Sequence, residues 1–93
     1  LVLAAIDLSG RPYLGYDVTL SSQQVGGFDT EMVREFFYAV SYSAGMNLHI
    51  RLLAGENNHH IIEGIFKAFA KALDMAVDFD PRISDVLSTK GSL

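Results

Sequence analysis

The chain has 93 residues, of which 49% are hydrophobic, with a formal net charge of -4 and a pI near 5.1. That length holds one small domain, which buries only a modest share of its surface, so association with further chain is expected. The acidic balance argues against a nucleic-acid binder, and the absence of cysteine excludes a disulfide framework and a thiolate metal site, which suits a cytoplasmic enzyme.

The opening "LVLAAIDLSG" has neither the basic lead nor the small-residue cleavage site of a secretory signal. Leu1 to Leu8 reads as a buried strand closed by the turn signal Ser9-Gly10. A strand that starts without a polar lead-in raises the expectation that something once preceded it. Arg11-Pro12 opens a second strand, in which Leu14, Tyr16, Val18 and Leu20 alternate with Tyr13, Gly15, Asp17 and Thr19. Ser21 to Gln24 and the pair Gly26-Gly27 read as a loop.

Asp29 or Thr30 can cap a first helix, whose apolar face is predicted as Met32, Val33, Phe36, Phe37 and Val40, with Gly45 as its stop. Asn47 to Leu53 alternates as a third strand, with Leu48, Ile50 and Leu52 on one side and Asn47, His49 and Arg51 on the other. After the turn "AGENN", Asn58 is placed to cap a second helix running to about Asp78. Its apolar stripe is Ile61, Ile62, Ile65, Phe66, Phe69, Leu73 and Val77. The order β-β-α-β-α predicts an α+β two-layer sandwich with both helices on one face of a sheet.

The stretch "GENNHHIIEGIFK" carries the densest chemistry. Helical spacing puts His60, Glu63 and Lys67 along one polar stripe, and lets His59 reach Glu63 four residues on. Two imidazoles and a carboxylate suit a borderline divalent cation such as Mn²⁺, Fe²⁺ or Zn²⁺. Adjacent histidines, however, diverge by roughly 100° around a helix and do not chelate one ion together. Two ions, each shared with another element or subunit, fit that geometry better. The competing reading is an ordinary solvated turn, and HHxxE is not the HExxH pattern of zinc proteases.

Taken together, "DLSGRPYL", "VGGFDTEMVREFF", "GMNLHIR", "GENNHHIIEGIFKAFAKAL" and "STKGSL" resemble imidazoleglycerol-phosphate dehydratase, a hydro-lyase of histidine biosynthesis. The match runs nearly end to end and keeps the motif order. The family enzyme is an internal duplication about twice as long, and this chain looks like its second half, residues 1–93 forming one half-domain. The resemblance implies a ribosomal protein S5 domain 2-like fold in each half. It also implies Mn²⁺ at two sites shared between halves or subunits, and identical chains or an N-terminal half as partners. The assembly implied is a large homo-oligomer in which trimers build a 24-mer, located in the cytoplasm, or in the plastid of a plant. The implied reaction removes water from imidazole glycerol phosphate to give imidazole acetol phosphate.

Carried over by position, His59, His60 and Glu63 match metal ligands, and His59 also faces the substrate. Lys67 matches a substrate-contacting lysine, and the catalytic roles expected are proton relay within the metal shell for Glu63 and assistance to the departing or tautomerising oxygen for Lys67. Arg11, Ser88, Thr89 and Lys90 match the residues that hold the substrate phosphate, a task suited to a guanidinium, two hydroxyls and an ammonium. Two departures stand out. Glu35, in "REFF", occupies the position of a family histidine ligand: it is either an oxygen donor that manganese accepts in place of the imidazole, or a solvated helix residue that leaves the site weakened. Leu87 stands where proline commonly precedes the terminal motif. His49 has no ligand role in the family pattern and is expected behind the ligands or at the surface. A non-catalytic metal-binding or assembly half-domain that self-associates is the alternative reading.

Overall fold

The computed structural model describes residues 1–78. In chain order the elements are β1 (Val2–Asp7), β2 (Tyr13–Asp17), β3 (Gln24–Val25), β4 (Phe28–Asp29), α1 (Glu31–Ala44), β5 (Asn47–Leu52) and α2 (Asn58–Asp78). The main sheet has the order β1-β5-β2, with β5 central. β1 pairs antiparallel with β5, bringing Ala5 opposite His49 and Leu3 opposite Arg51. β2 pairs parallel with β5, in register Leu14 with Leu48 and Tyr16 with Ile50. A parallel neighbour requires a crossover, and the segment containing α1 provides it.

Both helices cover the same face of this sheet. Strand alternation turns Leu48 and Ile50 toward them, where the two residues pack with Val33 and Phe37 of α1 and Ile61 and Ile65 of α2. Phe37, Leu48 and Ile65 are completely enclosed. The Phe37 ring joins the helices, lying 5.0 Å from Phe66 and 5.1 Å from Phe69 between centroids. The opposite face of the sheet, with Tyr13, His49, Asp17 and Arg51, is open. There the Arg51 guanidinium meets the Asp17 carboxylate at 3.4 Å in an exposed ion pair.

The α+β sandwich and its helical face follow the sequence pattern, with local corrections. β2 ends at Asp17 instead of continuing to Leu20. Val18 and Leu20 still pack against the core, so their alternation reports burial without ladder pairing. Within the segment read as a loop, Val25 pairs with Phe28 in a two-stranded hairpin. Gly26 and Gly27 form its turn at φ 57° and 81°, and a two-residue turn with positive φ at both positions suits the twist of a hairpin.

Met32, Phe36 and Phe66 were expected in the core but are 55%, 48% and 40% exposed. A three-stranded sheet is too narrow to cover the full arc of either apolar stripe, so the flanks of both helices remain in solvent. Met46 and Ser41 are buried instead. Ser41 satisfies its hydroxyl inside α1 by donating to the Tyr38 carbonyl at 2.9 Å. Gly45, at φ 63°, ends α1 in the left-handed conformation as predicted, its N–H donating to the Ser41 carbonyl.

Candidate functional site

The first turn of α2 is built by its cap. The Asn57 side-chain oxygen accepts from the His60 N–H at 3.0 Å, and the Asn57 carbonyl accepts from the Ile61 N–H at 2.9 Å. Asn57, not Asn58, is therefore the capping residue. Asn58 is used elsewhere: its Oδ1 accepts from the Ser21 N–H at 3.2 Å and from the Ser21 hydroxyl at 3.3 Å. The loop after β2 is thereby fastened to the residue immediately before the paired histidines.

Ile61 and Ile65 turn into the core, which forces His59, His60, Glu63 and Lys67 outward. Nε2 of His59 lies 2.6 Å from Oε1 of Glu63, one turn along the helix, with both side chains more than half exposed. The predicted i,i+4 contact is present. The His59 and His60 rings stand 6.1 Å apart between centroids at an interplanar angle of 60°, the divergence expected of neighbours on a helix. Among the described residues, no group of three or more His, Cys, Asp or Glu side chains is gathered closely enough to hold a metal ion. The donor types fit a divalent cation, but the number assembled among the described residues does not complete its coordination.

Glu35 is exposed on α1 and does not join the histidine turn in a cluster of three ligand-type residues. Arg11 is exposed in the connection between β1 and β2, its N–H donating to the Ser9 hydroxyl at 3.4 Å. Ser88, Thr89 and Lys90, with Leu87, lie outside the described residues. His49 lies on the open face of the sheet, its ring 5.4 Å from that of Tyr13. β2 carries a feature that alternation alone did not announce. The Tyr16 hydroxyl is buried with no hydrogen-bond partner among the described residues. Burial raises its pKa above 10.0, with Glu31 adding to the shift and Arg34 opposing it.

Residues 1–73 match the family model described as imidazoleglycerol-phosphate dehydratase. The whole chain is 67% identical to an imidazoleglycerol-phosphate dehydratase of Lachnoclostridium phytofermentans and covers 47% of that protein. It is 56% identical over its full length to the one from Symbiobacterium thermophilum, covering 45% of it. A crystal structure of the Staphylococcus aureus dehydratase superposes with a TM-score of 0.79 at 52% identity, over 81% of this chain and 44% of that one. The chain thus spans about half the length of the curated relatives it matches. On this agreement of sequence and fold, the chain belongs to the imidazoleglycerol-phosphate dehydratase family.

Proposed function

We propose that this chain is the second half of a duplicated imidazoleglycerol-phosphate dehydratase. Completed by its other half, it would remove water from imidazole glycerol phosphate in histidine biosynthesis, yielding imidazole acetol phosphate. The observation that carries this reading is the exposed turn of His59, His60, Glu63 and Lys67, which presents divergent donors that the described residues do not close into a metal site. Such a turn is suited to two Mn²⁺ sites, each completed by another half or subunit of a large homo-oligomer.

His59, His60 and Glu63 would hold the cations, with Glu35 as an oxygen donor. A bound divalent cation supplies Lewis acidity that makes loss of an unreactive C–H proton from the substrate feasible. The Glu63 carboxylate would also relay a proton beside the cation, to or from the substrate. The Lys67 ammonium, one turn further along α2, would donate a charge-assisted hydrogen bond to the departing oxygen. Arg11, together with Ser88, Thr89 and Lys90, would anchor the phosphate.

The test combines this chain with the portion of the Lachnoclostridium relative that it does not cover, and measures dehydration with and without Mn²⁺. Turnover that needs both pieces and the metal is expected. A mixture that assembles and binds metal yet stays inert would favour the alternative, a non-catalytic assembly half. Within the active mixture, Lys67→Ala should lower kcat by roughly 10²-fold or more, the scale of a lost general acid. Unchanged turnover would remove Lys67 from the mechanism.

A further inference from the structure

Arg11 sits in the turn between β1 and β2, and its own neighbours set the shape of that turn. The Arg11 N–H donates to Ser9 Oγ at 3.4 Å, and Pro12 confines the residue before it to extended backbone. Where the turn stands is decided elsewhere, at the joint between α1 and β5. Two residues after Arg11, the Tyr13 N–H donates to the Met46 carbonyl at 3.2 Å. One residue before it, Gly10 lies against Gly45: a Cβ added to Gly45 would stand 3.3 Å from Gly10 Cα and 3.4 Å from the Gly10 carbonyl oxygen. Arg11 is thus bracketed by contacts to two consecutive residues of the joint.

The joint is the rigid partner. The N–H groups of Gly45 and Met46 both end on the Ser41 carbonyl, and Ser41 and Met46 are buried. The atoms that a Cβ at position 45 would meet are all main chain of Gly10, so no side-chain rotation relieves the contact. The turn itself would have to give by a few tenths of an ångström, carrying Arg11 with it. Gly45 therefore meets two separate demands. One is the left-handed backbone that ends α1, which asparagine also tolerates. The other is a bare Cα for the turn to rest on, which only glycine provides.

We propose that Gly45 is a positioning residue for Arg11, seating the turn so that the guanidinium stands ready for a phosphate. Holding the donor in place beforehand spares the ordering cost that binding otherwise carries. The inference rests on the reading of Arg11 as a phosphate anchor. It adds that phosphate affinity is set partly at the α1–β5 joint, by a residue with no side chain to touch the ligand.

The experiment titrates inorganic phosphate into the full chain mixed with the uncovered portion of the Lachnoclostridium relative, and measures KM and kcat in the same mixture. Gly45→Ala and Gly45→Asn should each weaken phosphate about 5- to 10-fold, since such clamps are sensitive to small displacements. KM should rise by the same factor while kcat stays within about twofold, the signature of lost uniform binding. Gly26→Ala is the control for backbone strain: φ there is 57°, but an added Cβ meets nothing within 4 Å among the described residues. It should lower stability and leave phosphate affinity unchanged. In an Arg11→Ala background, Gly45→Asn should have no further effect, because Gly45 acts through Arg11.

Four results would overturn the inference: an affinity that Gly45→Asn leaves intact, an equal loss in Gly26→Ala, a further loss when Gly45→Asn is added to Arg11→Ala, or no phosphate binding at all. Gly45-dependent phosphate binding without turnover would keep the inference and sink the half-enzyme reading. Turnover with an affinity indifferent to Gly45 would do the reverse.

Discussion

Gly15 of β2 lies directly under the imidazole of His49 on β5: a Cβ added at position 15 would stand 2.6 Å from Nδ1 of His49. The two residues are register partners on the open face of the sheet, and the imidazole leans across the gap the glycine leaves. Glycine in a strand normally costs stability, because it surrenders more backbone entropy than other residues on folding.

Gly15→Ala should therefore have a sign set by His49. With His49 in place, the ring must swing off Tyr13, and we expect a loss of about 0.5–1.5 kcal/mol, the cost of an off-rotamer side chain. In a His49→Ala background the same change should stabilise by about 0.4–1 kcal/mol. Urea unfolding of the four variants in this cycle measures the coupling, and simple additivity would show that the close approach carries no energetic weight.

The two asparagines before the histidine pair should separate cleanly. Asn57→Ala removes the helix cap and should cost about 1 kcal/mol, whereas Asn58→Ala loses only exposed bonds to Ser21 and should cost less. Thermal unfolding ranks them, and equal losses would mean that both residues hold the turn.

Tyr16 gives the clearest pH dependence. Its folded pKa is raised above the unfolded value of 10.0, chiefly by burial. The folded state therefore keeps its proton where the unfolded state has lost it. The contribution is fully present below pH 10 and declines as pH rises from there through the folded pKa. Tyr16→Phe should reduce that alkaline loss and, because the hydroxyl has no partner among the described residues, should be neutral or stabilising by about 1 kcal/mol near pH 7. Tyr13→Phe, at an exposed position, provides the comparison in denaturant titrations at neutral and alkaline pH.

For Glu35 the readout is metal affinity. If its carboxylate serves as an oxygen ligand in the assembled enzyme, Glu35→Gln should weaken Mn²⁺ binding by at least about 10-fold, on the order of 1.4 kcal/mol. Arg34→Gln, on the same exposed turn, should leave it nearly unchanged. Calorimetric titration of the assembled mixture decides between a ligand and a solvated helix residue.

The long elements were legible because each couples one strong period to one face. Leu48 and Ile50 alternate with His49 and Arg51, and Ile61 and Ile65 recur at helical spacing, so burial followed directly from pattern. Phe36 and Phe66 misled for the opposite reason: their spacing places them beside the core, but only the width of the sheet decides whether a helix flank is covered. The β3–β4 hairpin carried its own signal in Gly26-Gly27, yet its strands are two residues each, too short for alternation to register. The histidine turn was readable down to the His59–Glu63 contact. Whether the turn holds a metal was not, because the described residues gather no third ligand-type side chain beside it.

Asn58 gives the histidine turn a mechanical connection that its sequence neighbours do not suggest. Ser21 holds the Oδ1 of Asn58 with both its amide and its hydroxyl, across 37 residues of chain. The hairpin just downstream is in turn latched to the start of α1, where Thr30 donates to the carbonyls of Ser22 and Gln23. Strain applied at α1, where Glu35 sits, has a short path through that loop to His59. A displacement of either helix on assembly would reach the other through Ser21 and Ser22, one residue apart.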